Sequence, residues 1–356
     1  MSTATPARLP RRRLSFATLD DAAVRELARP VLGPAADTAR VERPDQGVNN
    51  RTYLLRAAGG DGIAIKMRPH SPQPVRNSAL WPRYTQQVYG PIPNGDISTL
   101  IAVTADLRLY GSIATPEVLL VDLSGERVAA PYVISELLPG RSLGWDETHP
   151  PATAAQLGDH VGRVHAATAG AGFGIYAQRD AFSLAEWWPR FGRSYTTLVG
   201  EMARCSSHVA EVAALLERAL DRAVESGTPA ASTLICLDQS PTHYLGRGGG
   251  TITAMVDVEG HLFAPPEYEL TLLEIWLPDW PALARGYERH RRHPADLLDE
   301  VRPAYWLFTW LEWAYCLRTL LHDEPAALKL EGRLAQLARQ LVDGVDQRRR
   351  ISSAAT

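Results

Sequence analysis

Apolar residues at Val24, Leu27 and Val31, behind Asp20 and Asp21, predict a helix over Leu19 to Leu32. The period then shortens. Arg51 to Ala57 alternates about Tyr53 and Leu55, and Gly62 to Met67 (GIAIKM) alternates again after the turn Gly59-Gly60-Asp61-Gly62, which predicts an antiparallel hairpin. Residues 69–96 are proline-rich with no clean period and read as a long loop or insertion. Ile97 to Leu109 reads as helical, and Pro116 to Val121 and Ala130 to Leu138 as two strands joined at Ser124-Gly125.

Beyond residue 140 the texture turns helical. Helices are expected over Ala152 to Ala167, Trp187 to Met202 and Val209 to Val224, and again toward the C-terminus around Trp306, Trp310 and Trp313. A compact β region interrupts them: Thr233 to Leu237, Tyr244-Leu245, a glycine turn at Gly248-Gly249-Gly250, and Thr251 to Val258. The pattern is α+β: a small antiparallel β lobe over 16–138 and a larger, mainly helical lobe over 139–346. Residues 1–15 and 347–356 read as disordered ends.

Composition narrows the function classes. The 356 residues carry 37 basic and 40 acidic side chains, a net charge of -3, which argues against a dedicated nucleic-acid binder. Three scattered cysteines (Cys205, Cys236, Cys316) form no CxxC pair and fit a reducing cytosol rather than a disulfide framework. No apolar run reaches the roughly 18 residues a membrane span needs, and no apolar segment follows Arg11 to Arg13 as in a secretory signal. A cytoplasmic protein with no membrane partner is the expectation. Only two cations are lysine, Lys66 and Lys329. Where Arg is the default cation, Lys66 inside the GIAIKM strand stands out, because an ammonium point charge is not interchangeable with a guanidinium fork.

The candidate chemistry lies in the β interruption. Leu234 to Leu237 is an apolar strand that delivers Asp238 into the polar loop Gln239 to His243. Nineteen residues on, Ala254-Met255-Val256 ends in Asp257. Read as two strands of one hairpin with a carboxylate at the same edge, they make a site for a base and a divalent cation. One carboxylate deprotonates a hydroxyl and the other holds Mg2+ against phosphates. A strand Lys ahead of such a pair suits the α- and β-phosphates of a nucleotide.

On these residues the chain, over roughly residues 40–280, resembles the aminoglycoside phosphotransferase / choline kinase family, the small-molecule branch of the protein-kinase-like fold. The catalytic loop falls on Cys236-Leu237-Asp238 through His243, the metal-binding run on Val256-Asp257-Val258-Glu259, and a downstream motif on Ala264 to Thr271. The nucleotide loop falls on Gln46-Gly47-Val48-Asn49-Asn50-Arg51-Thr52-Tyr53, the inter-lobe hinge on Ile134 to Gly140, and a further helix on Leu157 to His165.

The resemblance implies a two-lobed kinase-like fold with ATP or GTP between the lobes. It implies Gly47, Asn49, Asn50, Lys66, Glu136 and Leu138 around the nucleotide, Asp257 and His243 around Mg2+, and Asp238 as base. Transfer would go to a hydroxyl of a small molecule such as an antibiotic or natural-product intermediate. Two alternatives are a Ser/Thr hydroxyl on a natural-product precursor peptide and a pseudokinase-like binding protein. The chain departs from the family pattern at Cys236, where the loop His is usual, at His243, where Asn is usual, and near Ser98 to Leu100, where the acid that pairs with the strand Lys is absent and the nearest upstream is Asp96.

Other features have plainer readings. Trp306, Trp310 and Trp313 share one helix face and suit core or substrate-lobe packing. Trp187 and Trp188 are candidates to line an acceptor cleft, Cys236 reads as a small buried hydrophobe, and His290 and His293 read as a solvated helix end.

Overall fold

The computed structural model describes residues 18–44, 50–60, 62–68, 82–92, 97–145, 147–247, 250–277, 279–292 and 295–343. In chain order the first elements are α1 (Asp21–Leu32), β1 (Arg40–Glu42), β2 (Arg51–Arg56), β3 (Gly62–Met67), α2 (Arg83–Tyr89), α3 (Ile97–Tyr110), β4 (Val118–Asp122) and β5 (Tyr132–Glu136). Next come β6 (Arg141–Ser142), α4 (Pro151–Thr168), β7 (Gly172–Ile175), β8 (Phe182–Ser183), α5 (Trp187–Cys205) and α6 (Ser207–Glu225). The last are β9 (Thr233–Cys236), β10 (Tyr244–Gly246), β11 (Ile252–Met255), β12 (His261–Ala264), α7 (Pro266–Leu273), α8 (Trp280–Tyr287), α9 (Ala295–Tyr315) and α10 (Glu324–Ala338).

The chain divides into two compact units. The first comprises Met1–Gln73, Asn94–Ile101 and Pro116–Leu138; the second comprises Pro74–Pro93, Ala102–Thr115 and Pro139–Thr356. Helix α2 therefore belongs to the second unit. It lies within the stretch expected to be a loop. Its buried residues, Tyr84, Thr85, Val88 and Tyr89, do have helical spacing, but two tyrosines and a threonine do not register as an apolar stripe.

The first unit is an antiparallel sheet of order β1-β2-β3-β5-β4. Strands β2 and β3 form the expected hairpin, with Thr52 opposite Lys66. Alternation fixes the faces: Tyr53, Leu55, Ile63, Ile65 and Met67 are buried in one core with Val24 and Leu27 of α1. The Leu19 N–H donates to the Tyr53 hydroxyl at 3.0 Å, and Asp20 caps α1 by accepting from Ala23 N. Lys66 sits between Ile65 and Met67 in β3, so its side chain leaves the sheet on the face opposite that core.

The second unit is mainly helical and holds two small sheets, of orders β11-β10-β6 and β8-β7-β12-β9. All the strand pairings described are antiparallel. Helices α4 and α8 cross at backbone distance through glycines. A Cβ at Gly158 would run into the Leu283 carbonyl, and one at Gly286 into the Ala155 carbonyl. Trp187 is fully buried, stacked on Phe191 at 5.5 Å, and Trp188 stacks on Tyr305 at 5.7 Å. These two indoles are core, not cleft lining: the helical stripe of α5 faces α7 and α9. No helix among the described residues is long and apolar enough to cross a membrane.

One buried acid marks the α2–α9 contact. Both carboxyl oxygens of Glu312 lie within hydrogen-bond distance of Thr85 Oγ1, at 2.7 and 2.9 Å. A hydroxyl has one proton to give, so a protonated carboxyl that donates back completes the pair. Burial pushes the Glu312 carboxyl from 4.5 up to about 8. The unfolded chain ionises this group above about 4.5 and the folded chain only above about 8. Its contribution to stability is therefore complete below the lower value and is lost as pH rises through that window, by a few kcal/mol. His160 works in the opposite sense, since burial lowers its imidazole to about 4 and stability falls as pH drops below about 6.5. Comparison with Glu312→Gln isolates the acid: denaturant unfolding at pH 5 and pH 8 is expected to show a loss in the parent that is largely absent in the variant. Equal losses would remove Glu312 as the cause.

Candidate functional site

Strand β9 is buried along its whole length and pairs with β12, His261 opposite Cys236. It does not pair with β11, as the single-hairpin reading expected. The hairpin is β10–β11, with Tyr244 opposite Met255, and it belongs to the other sheet. Asp238 and Asp257 thus leave two different sheets, and the polar loop between them brings them together. A fully buried strand has no polar face to reveal its partner, which is why the sequence misassigns it.

The loop is closely specified. Leu237 N donates to the Gly260 carbonyl at 2.9 Å. A Cβ at Gly260 would come within 2.8 Å of the Asp238 Cβ, so the loop needs glycine there. Ser240 N and His243 Nδ1 both donate to the Asp238 carbonyl, at 3.1 and 3.0 Å. A carbonyl only accepts, so Nδ1 carries a proton and Nε2 is the nitrogen turned to the acids. That nitrogen faces both acids, 3.6 Å from Asp257 Oδ2 and 3.9 Å from Asp238 Oδ2. Val256 N donates to the His243 carbonyl at 2.8 Å and locks the two segments together. Both carboxylates are 42% exposed, within reach of a ligand, whereas His243 is 16% exposed. Asp257 has φ 61° and ψ 53°, the left-handed region that non-glycine residues seldom occupy.

Behind the loop lies a buried polar cluster centred on Glu269 of α7. Cys236 N and Gln239 Nε2 donate to Oε1 at 3.0 and 2.5 Å, and His165 Nε2 donates to Oε2 at 2.7 Å. The Tyr287 hydroxyl meets His165 Nδ1 at 3.1 Å, and the Tyr244 hydroxyl donates to Gln239 Oε1 at 2.8 Å. Burial opposes ionisation of Glu269, but the hydrogen bonds outweigh it and hold its carboxyl below the usual range. Burial likewise lowers the His165 imidazole and keeps it neutral. The cluster is an ionised carboxylate served by three donors. It fixes the residues on both sides of Asp238. The sequence motif contained Glu269 and His165, but nothing in the pattern showed that they touch.

The remaining sequence candidates lie in the first unit. Lys66 is on β3 between Thr52 and Val133. Glu136 ends β5, where its N–H donates to the Glu117 carbonyl at 2.9 Å and the Leu137 N–H to the Gly62 carbonyl at 3.0 Å; Leu138 follows, half-buried. Asn50 precedes β2 and buries Oδ1 with no hydrogen-bond partner among the described residues. Gly47, Asn49, Asp96, Gly248 and Gly249 lie outside the described residues. Cys236 is buried and its thiol is pushed up by desolvation, an inert packing residue. His290 is not a solvated end: its Nε2 meets Asp159 Oδ1 at 2.9 Å.

The donor set has a definite metal chemistry. Among the described residues no three His, Cys, Asp or Glu side chains are placed to hold an ion as a group. Asp257 beside His243 Nε2 is a partial set. The carboxylate oxygen suits Mg2+, which takes its other ligands from phosphates and water, whereas an imidazole nitrogen suits Mn2+ or a transition ion better.

No known family profile matches the sequence, and no curated protein does. Solved structures do match. A macrolide 2'-phosphotransferase from Brachybacterium faecium aligns at 17% identity and TM-score 0.58, over 88% of this chain and 97% of that one. A microcompartment-associated aminopropanol kinase aligns at 15% and 0.61, over 91% and 98%. A spectinomycin phosphotransferase in complex with ADP and spectinomycin aligns at 11% and 0.55, over 85% and 92%.

Proposed function

The fold shared with these small-molecule kinases is the premise; we propose that this chain moves the γ-phosphate of ATP or GTP to a hydroxyl of a small molecule. The observation that carries the reading is the Asp238–His243–Asp257 group, held by backbone bonds to its own loop and by Glu269 from behind. In phosphoryl transfer the protein positions the reactants and stabilises charge rather than forming covalent intermediates. Each residue then has a role. Lys66 neutralises charge on the α- and β-phosphates. Asp257, with His243 beside it, would hold Mg2+, whose charge would offset that of the transferring phosphoryl group. Asp238 accepts the proton of the acceptor hydroxyl. Asn50, whose buried Oδ1 has no hydrogen-bond partner among the described residues, Glu136 and Leu138 border the nucleotide. An exposed Asp238 supports transfer over binding alone, since a protein that only binds nucleotide has no use for a base there.

The test is nucleotide binding by calorimetry with and without Mg2+ for the parent, Lys66→Ala and Asp257→Ala. Lys66→Ala is expected to weaken ATP or GTP by about tenfold or more with the metal present, the worth of one good charge-assisted contact. Asp257→Ala is expected to remove most of the Mg2+ dependence. Parent-like binding in both variants would show that the site is misassigned.

A further inference from the structure

His243 sets an imidazole against the two acids of the loop, and its ring is fixed from several directions. The short turn Pro241–His243 is capped by Ser240, whose side chain accepts from Thr242 N. The His243 N–H donates to the Ser240 carbonyl at 3.1 Å, and the His243 carbonyl accepts from Val256 N at 2.8 Å. The ring itself is anchored by the Nδ1 bond to the Asp238 carbonyl at 3.0 Å. A loop that needed only backbone order would not have to spend an imidazole here.

The other ring nitrogen shows what the imidazole is for. Nε2 lies 3.6 Å from Asp257 Oδ2 and 3.9 Å from Asp238 Oδ2. Neither separation is a hydrogen bond. Two ligands about 2.1 Å from a shared ion stand roughly 3–3.5 Å apart. Nε2 and Asp257 Oδ2 therefore bracket an ion-sized gap that a small movement of either side chain closes. The Nδ1 bond is the matching sign. A histidine that ligates through one ring nitrogen almost always donates the other N–H to a carbonyl, carboxylate or water, which fixes the ring on the metal.

We infer that His243 is a metal ligand, and that the Asp257–His243 pair selects a divalent first-row transition ion over Mg2+. The inference rests on the phosphotransferase reading and names the preferred ion of that same site. Mg2+ is a hard ion that takes oxygen ligands, so a nitrogen facing the gap favours it little and leaves it the weaker occupant. Transition ions accept an imidazole and a carboxylate together. Mn2+ is the probe, because oxygens of phosphate and water suit it for the positions that the protein leaves open.

Two measurements on the full chain with ADP test it, for the parent and for His243→Asn. The asparagine amide can still donate to the Asp238 carbonyl, so the variant removes the metal-facing nitrogen and spares the anchor of the loop. Pulsed electron paramagnetic resonance of bound Mn2+ is expected to show coupling to an imidazole nitrogen in the parent and none in the variant. Calorimetry is expected to give a ratio of Mn2+-supported to Mg2+-supported nucleotide affinity at least fivefold higher in the parent than in the variant. The comparison removes the preference that the nucleotide itself has for either ion. The inference is overturned if the parent shows no nitrogen coupling, if the coupling persists in His243→Asn, or if the two ratios agree within twofold. An imidazolium that merely bridges the two acids gives the first of these results. Any of them leaves the Lys66 and Asp257 test standing, whereas nucleotide binding indifferent to every divalent ion removes both readings.

Discussion

Asp238→Asn is expected to lower kcat for phosphate transfer by about 10²–10⁴-fold, the usual worth of a positioned general base. The substitution is nearly isosteric and the loop does not depend on the carboxylate. Ser240 N and His243 Nδ1 are held by the Asp238 backbone carbonyl, and the flanking Cys236 N and Gln239 by Glu269. Asparagine can still orient a hydroxyl but cannot accept its proton. Nucleotide affinity should therefore stay near the parent's while turnover collapses. A coupled assay for nucleoside diphosphate release, run beside calorimetry, reads both quantities. Turnover within about threefold of the parent would remove Asp238 from the chemistry, because no general base is so dispensable.

The second large effect concerns stability and rate together. Glu269→Ala leaves Cys236 N–H, the Gln239 amide and the His165 N–H with no acceptor in a site closed to water. Stranding the partners of a buried carboxylate costs about 3–5 kcal/mol. The loop on either side of Asp238 loses its anchor, so kcat should fall even under conditions where the protein stays folded. Glu269→Gln is the informative companion. It keeps the volume and one acceptor oxygen but turns an N–H donor toward another donor, so an intermediate loss is expected. Urea unfolding gives the first effect, and kcat at low temperature the second. If Glu269→Ala unfolds at the parent's urea concentration, the carboxylate is not the anchor described.

How far the residues themselves foretold this arrangement depends on whether an element has two unlike faces. Strands β2 and β3 and helix α1 each bury one side, so alternation and helical spacing located them closely. Strands β9 and β12 are buried throughout, and pairing between such strands leaves no trace in the pattern. Asp238, His243 and Asp257 could be picked out because polar residues that end apolar strands are conspicuous. Glu269 could not be given its role on the same grounds. Its place in the downstream motif shows neither burial nor partners, and only the approach of α4 and β9 shows it buried. The tryptophans divide for a similar reason. Trp187 and Trp306 look alike in sequence, yet the first lies at the centre of the core and the second at its margin.

The left-handed backbone at Asp257 bears on how such a site is lost. That conformation suits glycine, is tolerable for asparagine and aspartate, and penalises a β-branched side chain by roughly 1–2 kcal/mol. The left-handed backbone would accept Asn or Gly in place of Asp257, with the carboxylate lost. Each exchange needs one nucleotide change. On the proposed reading, one such exchange would turn a catalyst into a binding protein. The backbone conformation at that position does not by itself call for an aspartate.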